Sequence, residues 1–200
     1  MSRIITIARE FGSGGREFAR ALAEELGFDY YDKEVITSIA EETSLSKEYV
    51  QSVIEGKPRR PLPITIANSI GMMSDYHEQQ MQSIYAAQFN IIKEIAAKSD
   101  CIIVGRCADY ILRDEKPLRI FVYGTIEARL QRCLDHRKPG EDLTPEELRK
   151  KIIKMDKDRA AYYRDFTGHK WGEKEYYDLM ISTSGRDVRK LAKHVADMFR

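Results

Sequence analysis

The chain has 200 residues, and its 33 lysines and arginines almost balance its 32 aspartates and glutamates, leaving a formal net charge of +1. This balance removes the overall-charge argument for nucleic-acid binding, so each arginine cluster has to be judged by itself. The cysteines, Cys101, Cys107 and Cys133, form no C-x-x-C pair, which argues against a disulfide framework or a zinc site. No apolar run approaches the roughly 20 residues of a membrane span, and no signal peptide is visible. We therefore expect one cytoplasmic domain with neither nucleic-acid nor membrane partners.

Short apolar runs without polar alternation predict β-strands that are buried on both faces. They occupy residues 3–8, 28–31, 101–105, 119–124 and 178–183. This pattern is typical of a parallel sheet that is covered by helices.

Helical patterns lie between these strands. Thr125 is predicted to cap one helix, and Thr144, followed by Pro145 and a capping-box glutamate, is predicted to cap the next. The last helix carries one apolar stripe, formed by Val188, Leu191, Val195 and Met198. Strands that alternate with helices predict an α/β three-layer domain with a parallel sheet of about five strands.

Two segments interrupt the alternation. Residues 34–98 contain no convincing strand but several helices, which are broken by "GKPRRPLP" at 56–63. Residues 137–143 form a charged link with glycine and proline between two helices. We expect a core formed by residues 1–33, 99–136 and 165–200, a helical insert at 34–98 and a lid at 137–164.

The stretch "IAREFGSGGREFAR" at 7–20 has the context of a phosphate-binding loop between a strand and a helix. Backbone N–H groups of Gly12, Ser13, Gly14 and Gly15 are predicted to form an anion nest at the positive end of the helix. A standard loop, G-x-x-x-x-G-K-S/T, supplies a lysine for the phosphates and a hydroxyl for magnesium.

Here Gly15 and Arg16 follow the last shared glycine. Arg16 is predicted to replace the lysine, since its planar fork grips phosphate. Glu17 stands where the hydroxyl is usual and is predicted either to bind Mg²⁺, directly or through water, or only to favour the helix N-terminus. An ordinary glycine-rich turn is the alternative, and a dinucleotide fingerprint is weaker because its third glycine is absent.

These residues resemble the cytidylate kinase-like family of P-loop nucleoside monophosphate kinases, in a divergent branch with a "GSGGRE" loop. The resemblance rests on "IAREFGSGGREFARALAEELGFDYYD", "IIVGRCADYIL", "PLRIFVYGTIEARLQR" and "YYDLMISTS". It implies a P-loop NTPase-like fold that uses ATP and Mg²⁺. The chain departs from the family in having Gly15 in place of lysine and Cys107 in place of the aspartate of a G-R-D signature.

The resemblance implies ATP-dependent phosphoryl transfer to a nucleoside monophosphate, with CMP or dCMP as the favoured acceptor. Catalytic roles are expected for Arg16, Arg132 and Arg159. The acceptor is expected to meet Asp32 and Arg106, because both fall at the carboxyl ends of strands, where open α/β sheets bind ligands. The lid is expected to add Arg137 and Arg164. Arg129 and Arg132 share a helix face, where unbalanced cations would suit an incoming anion.

Two other functions stay open at this point. The chain could be a regulatory protein that binds nucleotide without turnover, or a kinase for a small molecule that is not a nucleotide. The sequence leaves the oligomeric state open as well, a homodimer included.

Overall fold

The computed structural model describes residues 3–54, 70–137, 140 and 142–199, with residues 70–78 described through their backbone alone. Its centre is a five-stranded sheet in which every neighbouring pair is parallel, in the order β2-β3-β1-β4-β5. The strands are β1 (Ile4–Arg9), β2 (Asp29–Tyr31), β3 (Cys101–Val104), β4 (Leu118–Tyr123) and β5 (Leu179–Ser182). All five predicted strands are present, but the expectation that each is buried on both faces was wrong for β2 and β5, which lie at the two edges of the sheet and contain no fully buried residue.

Helices cover both faces of this sheet. They are α1 (Gly15–Leu26), α2 (Lys33–Thr43), α3 (Lys47–Ile54), α4 (Ile70–Lys98), α5 (Ala108–Ile111), α6 (Ile126–Asp135), α7 (Pro145–Thr167) and α8 (Val188–Asp197). Single 3₁₀ turns lie at Arg113–Glu115 and Lys174–Tyr176.

The two faces of the sheet bury separate apolar clusters. On one face, Phe18 and Leu22 of α1 pack with Ala192 of α8 against the inward side chains of β1, β3 and β4. On the other face, helices α2 to α5 form a second cluster that also takes in Tyr162 and Tyr163 of α7. The predicted three-layer α/β architecture is therefore confirmed.

The predicted helix caps are present. Thr125 accepts a hydrogen bond from the N–H of Ala128 at 3.2 Å, and Thr144 and Glu147 form a complete capping box. The prediction for Met198 was wrong: α8 ends at Asp197, and Met198 is 70% exposed, so the buried stripe stops at Val195.

The predicted insert is helical wherever the structure describes it. Within 33–54 and 70–98 the chain forms α2, α3 and α4 and no strand. The break at 56–63 lies outside the described residues, and the division into core, insert and lid stays a prediction. In the described part of the chain, no helix combines the length and apolar character needed to cross a membrane.

Parallel pairing brings the segments that follow the strands to one edge of the sheet. Tyr31 is level with Ile103, and Ile7 is level with both Val104 and Ile120. The residues after these strands therefore meet at a single edge, which is where open α/β sheets bind ligands.

We expect Leu22→Ala to lower the free energy of unfolding by about 2–5 kcal/mol, because the truncation leaves a cavity between α1 and the sheet. Leu22 is fully buried, whereas Met198 is 70% exposed, so Met198→Ala is a matched control that should stay within about 0.5 kcal/mol. Urea unfolding of the three proteins measures both values. A loss below about 1 kcal/mol for Leu22→Ala would contradict the packing described for α1.

Candidate phosphate-binding site

The glycine loop joins the end of β1 at Arg9 to the start of α1 at Gly15. Gly14 is the N-cap of α1 and has the left-handed φ of 78° that glycine accommodates without strain. Ser13 is buried, and both its N–H and its hydroxyl donate to the Glu10 carbonyl, at 3.4 and 2.9 Å. Ser13 thus shapes the turn from within, while the first N–H groups of α1, beginning at Gly15, have no acceptor within the helix.

Helix α6 packs directly against this loop. A Cβ at Gly12 would lie 2.8 Å from Cys133 Sγ, and a Cβ at Gly14 would lie 2.8 Å from Arg132 Nε. Glycine is favoured at both positions, because each also has a left-handed φ, 79° at Gly12 and 78° at Gly14. The close approach brings Arg132 over the loop, where its guanidinium pairs with the Glu17 carboxylate.

Arg129, one turn earlier on α6, holds the loop from the other side. Its guanidinium forms an ion pair with Asp156 of α7 and donates to the Phe11 carbonyl at 3.2 Å. Asp156 accepts in turn from the Phe11 N–H at 2.7 Å, and Arg129 Nε lies 3.4 Å from Glu10 Oε2. The expectation of unbalanced cations on this helix face was wrong, because Arg129 and Arg132 are both paired with carboxylates.

Four arginines, with Arg9 at their centre, gather at the carboxyl edge of the sheet, and two of them lie beside the buried Asp32. Arg16 Nε lies 2.7 Å from Asp32 Oδ2, and Arg9 Nη2 lies 3.8 Å from Asp32 Oδ1. Arg159 donates from Nη1 to the Arg9 carbonyl at 3.0 Å. Arg106, which follows β3, is buried beside them.

Burial and the crowding of positive charge both lower the pKa of Arg9. Burial lowers the pKa of its guanidinium, and repulsion from Arg159, Arg106 and Arg16 lowers that pKa further, against the attraction of Asp32. Like charges this close favour an anion arriving among them, because an arginine stays protonated and cannot relieve the repulsion by losing its proton.

The turn after β3 has an unusual backbone. Gly105, Arg106 and Cys107 follow one another with left-handed φ values of 72°, 61° and 52°. Such conformations are costly for residues with a side chain and persist where the surroundings impose them. The surroundings here include Gln88 of α4, whose amide donates to the Arg106 carbonyl at 2.9 Å while accepting from the Tyr162 hydroxyl at 3.1 Å.

Cys107 and Asp109 follow Arg106 on the same wall. Cys107 is buried, and burial raises the pKa of its thiol, so it remains a neutral group rather than a nucleophile. Asp109 is also buried, accepts from the Tyr163 hydroxyl at 2.6 Å, and has a pKa that burial raises. A carboxyl group therefore stands two residues beyond the position where the resemblance implies an aspartate.

Two cavities open on this cluster. The larger, about 340 Å³, lies between the glycine loop, α6 and α7, and its wall includes Gly14, Glu17 and Arg132. The smaller, about 40 Å³, lies between the ends of β1 and β3 and includes Arg106 and Asp109. Arg9 and Arg159 line both cavities.

The remaining predicted residues lie elsewhere. Arg137 is exposed and donates to the Leu143 carbonyl at 2.8 Å, and the exposed Arg164 pairs with its neighbour Asp165 at 3.4 Å. The structure brings neither into the walls of the two cavities. Among the described residues no group of three or more histidines, cysteines or carboxylates could hold a metal ion. The role of Glu17 as a magnesium ligand stays a prediction.

Sequence reasoning missed Arg9, Gln88 and Asp109. A signal for Arg9 was present: residue 9 lies five positions before Gly14, where the loop pattern has its first glycine. No local signal marks Gln88, since its partner Arg106 is 18 positions away along the chain.

Comparisons with known proteins agree with this geometry. A cytidylate kinase from Thermotoga maritima is 25% identical, over 76% of this chain and 78% of its own length. An uncharacterized protein from Eubacterium ventriosum, known from its crystal structure, is 26% identical with a TM-score of 0.71, and the match covers 98% of each chain.

A more distant structure shares the fold. Shikimate kinase from Acinetobacter baumannii, solved in complex with shikimate, is 16% identical with a TM-score of 0.54, and the match covers 100% of this chain and 93% of the other. The model of the cytidylate kinase-like family matches residues 4–185. The five-stranded parallel sheet, the glycine loop at its edge and this match over most of the sequence lead to one assignment: the chain belongs to the cytidylate kinase-like family of kinases.

Proposed function

We propose that the protein transfers the γ-phosphoryl group of ATP to a nucleoside monophosphate, with CMP and dCMP as the favoured acceptors. The observation that carries this proposal is the cluster of guanidinium groups between two adjoining cavities. One cavity borders the glycine loop and the other borders Arg106, while Arg9 and Arg159 line both. A donor triphosphate and an acceptor monophosphate bring several negative charges to one point, and this cluster is suited to receive them.

The glycine loop and α6 support the binding of the ATP phosphates in the larger cavity. N–H groups at the start of α1 would meet the phosphates, helped by the helix dipole. The nucleotide would bring Mg²⁺ with it, an ion that proteins usually hold through one or two carboxylates together with substrate phosphates. Glu17 is the carboxylate at this position, and Arg132, its present partner, would then turn to the phosphates.

The acceptor end is supported by the turn after β3. Arg106 would hold the acceptor phosphate, since Gln88 fixes its backbone at the edge of the sheet. Asp32 is buried, lies 2.7 Å from Arg16 and lines neither cavity in this structure. Turned away from Arg16, it would accept hydrogen bonds from the base or sugar of the acceptor.

The transfer itself needs alignment and charge rather than an acid or a base. An oxygen of the acceptor phosphate forms a bond to the γ-phosphorus, while the bond from that phosphorus to the β–γ bridging oxygen breaks. The electron pair of the broken bond stays on the bridging oxygen, which leaves as part of ADP. A dianionic acceptor has no proton to lose, so arginines that neutralise the equatorial oxygens are the groups required.

A coupled assay with ATP, Mg²⁺ and a panel of CMP, dCMP, UMP, AMP and GMP tests this function. We expect ADP release that depends on the monophosphate and is fastest with CMP or dCMP, because the resemblance to cytidylate kinases covers both walls of the site. Calorimetric binding of ATP without turnover on any acceptor would instead indicate a regulatory nucleotide-binding protein. Turnover found only with acceptors outside the panel would indicate a kinase for another small molecule.

Replacement of Arg106 tests the acceptor wall. We expect Arg106→Ala to lower kcat/KM for the monophosphate roughly ten- to hundredfold, because a charge-assisted hydrogen bond to phosphate is lost. The KM for ATP should change by less than about threefold. Arg106→Lys should recover part of the loss, since it keeps the charge without the fork.

Arg189→Ala is the matched control, because that arginine lies on α8 and its side chain is 65% exposed. Initial rates with each substrate varied in turn separate the two effects. A defect confined to ATP would remove Arg106 from the acceptor wall.

A further inference from the structure

Two positions of the glycine loop differ from the standard pattern in a complementary way. Counting from Gly14, the first glycine of G-x-x-x-x-G-K-S/T falls at residue 9 and the lysine at residue 15. This chain has Arg9 and Gly15 there. The hydroxyl position then falls at Arg16, so the prediction that Glu17 occupies it was wrong. The cation and the small residue have exchanged places across the loop.

The side chain of Arg9 fills the space that a residue at position 15 would need. A Cβ at Gly15 would lie 2.5 Å from Arg9 Cβ and 2.9 Å from Arg9 Cγ. Further along, a Cβ at Gly105 would lie only 2.1 Å from Arg9 Nη1. Arg9 therefore runs across Gly15 to the turn after β3, and a lysine at 15 is incompatible with an arginine at 9.

We propose that Arg9, rather than Arg16, takes the place of the missing loop lysine and contacts the phosphoryl group during its transfer. This inference rests on the proposed function. Its basis is position, because Arg9 lines both the cavity beside the loop and the cavity beside Arg106, and a group passing from donor to acceptor has to cross between them. Arg9 makes and breaks no bond; it neutralises the oxygens of the group that moves.

The environments of the two arginines separate their roles. Arg16 has a side chain that is 45% exposed, and its Nε is engaged by Asp32 at 2.7 Å. The Arg9 side chain is 10% exposed, with Nη2 at the longer distance of 3.8 Å from Asp32. Its buried Nε has no hydrogen-bond partner among the described residues. Arg9 thus keeps donor capacity on a largely buried side chain, and a fixed donor shielded from water stabilises a transition state most strongly.

Moving the cation back to its standard position tests this assignment. The variants are Arg9→Gly, Gly15→Lys and the double variant with both changes, with Arg9→Met and Arg16→Met for comparison and Arg189→Met as the exposed control. Each is measured for kcat, for both KM values and for its thermal unfolding midpoint.

We expect Arg9→Gly and Arg9→Met to lower kcat by about 10²–10³-fold, as for the loss of one preorganised donor. Gly15→Lys alone should also be inactive, because its side chain meets Arg9. The double variant should regain at least tenfold over Arg9→Gly, and Arg16→Met should lose less than Arg9→Met. A double variant no faster than Arg9→Gly, or an Arg9→Met kcat within threefold of wild type, would overturn the proposal.

Two further measurements keep the result interpretable. If Arg9→Met does not fold, Arg9→Lys, which keeps the charge in place, should retain more activity than Arg9→Gly; the reverse order would count against the proposal.

If the wild type phosphorylates no monophosphate, the proposed function fails, but calorimetry still tests Arg9. Arg9→Met should then weaken binding of the Mg²⁺ complex of AMP-PNP at least tenfold and binding of ADP less, and equal losses for the two nucleotides would overturn the assignment.

Discussion

The site depends on holding several guanidinium groups together at the carboxyl edge of a parallel sheet despite their mutual repulsion. Asp32 offsets part of this repulsion from beneath, since it pairs with Arg16 at 2.7 Å and lies 3.8 Å from Arg9. The Arg9 carbonyl offsets another part by accepting from Arg159 at 3.0 Å. The remaining excess of positive charge is what makes the edge suited to phosphates, because an anion gains most where fixed cations are held close in a poorly solvated place.

A second set of contacts holds the glycine loop in position beside this edge of the sheet. Arg129 and Asp156 form an ion pair between α6 and α7, and both bond to the backbone of Phe11. Breaking a buried pair of this kind by removing one partner is costly, since the other charge is left without compensation. Helix α6 thus has two roles, carried by residues three positions apart. Arg129 holds the loop through the Phe11 carbonyl, and Arg132 lines the larger of the two cavities.

Much of the fold could be predicted because its signals are local. The apolar run at 3–8 marks the buried strand that the structure places at Ile4–Arg9, and a threonine before Pro145 marks a helix start, without reference to the rest of the chain. The family could be recognised from short stretches as well. The site was less predictable, because its geometry comes from residues far apart in sequence. Arg129, for example, has a structural role because it pairs with Asp156, which lies 27 positions later. Arg9 was missed because the predicted strand ended at residue 8 and the predicted anion nest began at Gly12, so residue 9 belonged to neither.

Gln88 has a consequence for the design of altered enzymes. It lies within the long helix α4, and its single side-chain amide connects that helix to the turn carrying Arg106 and, through Tyr162, to α7. Gln88 thus fixes the backbone of the turn that carries Arg106 without itself lining either cavity. On the proposed function, libraries that randomise the insert to obtain new acceptors should leave this amide untouched, because the backbone of Arg106 would otherwise shift together with the specificity being selected.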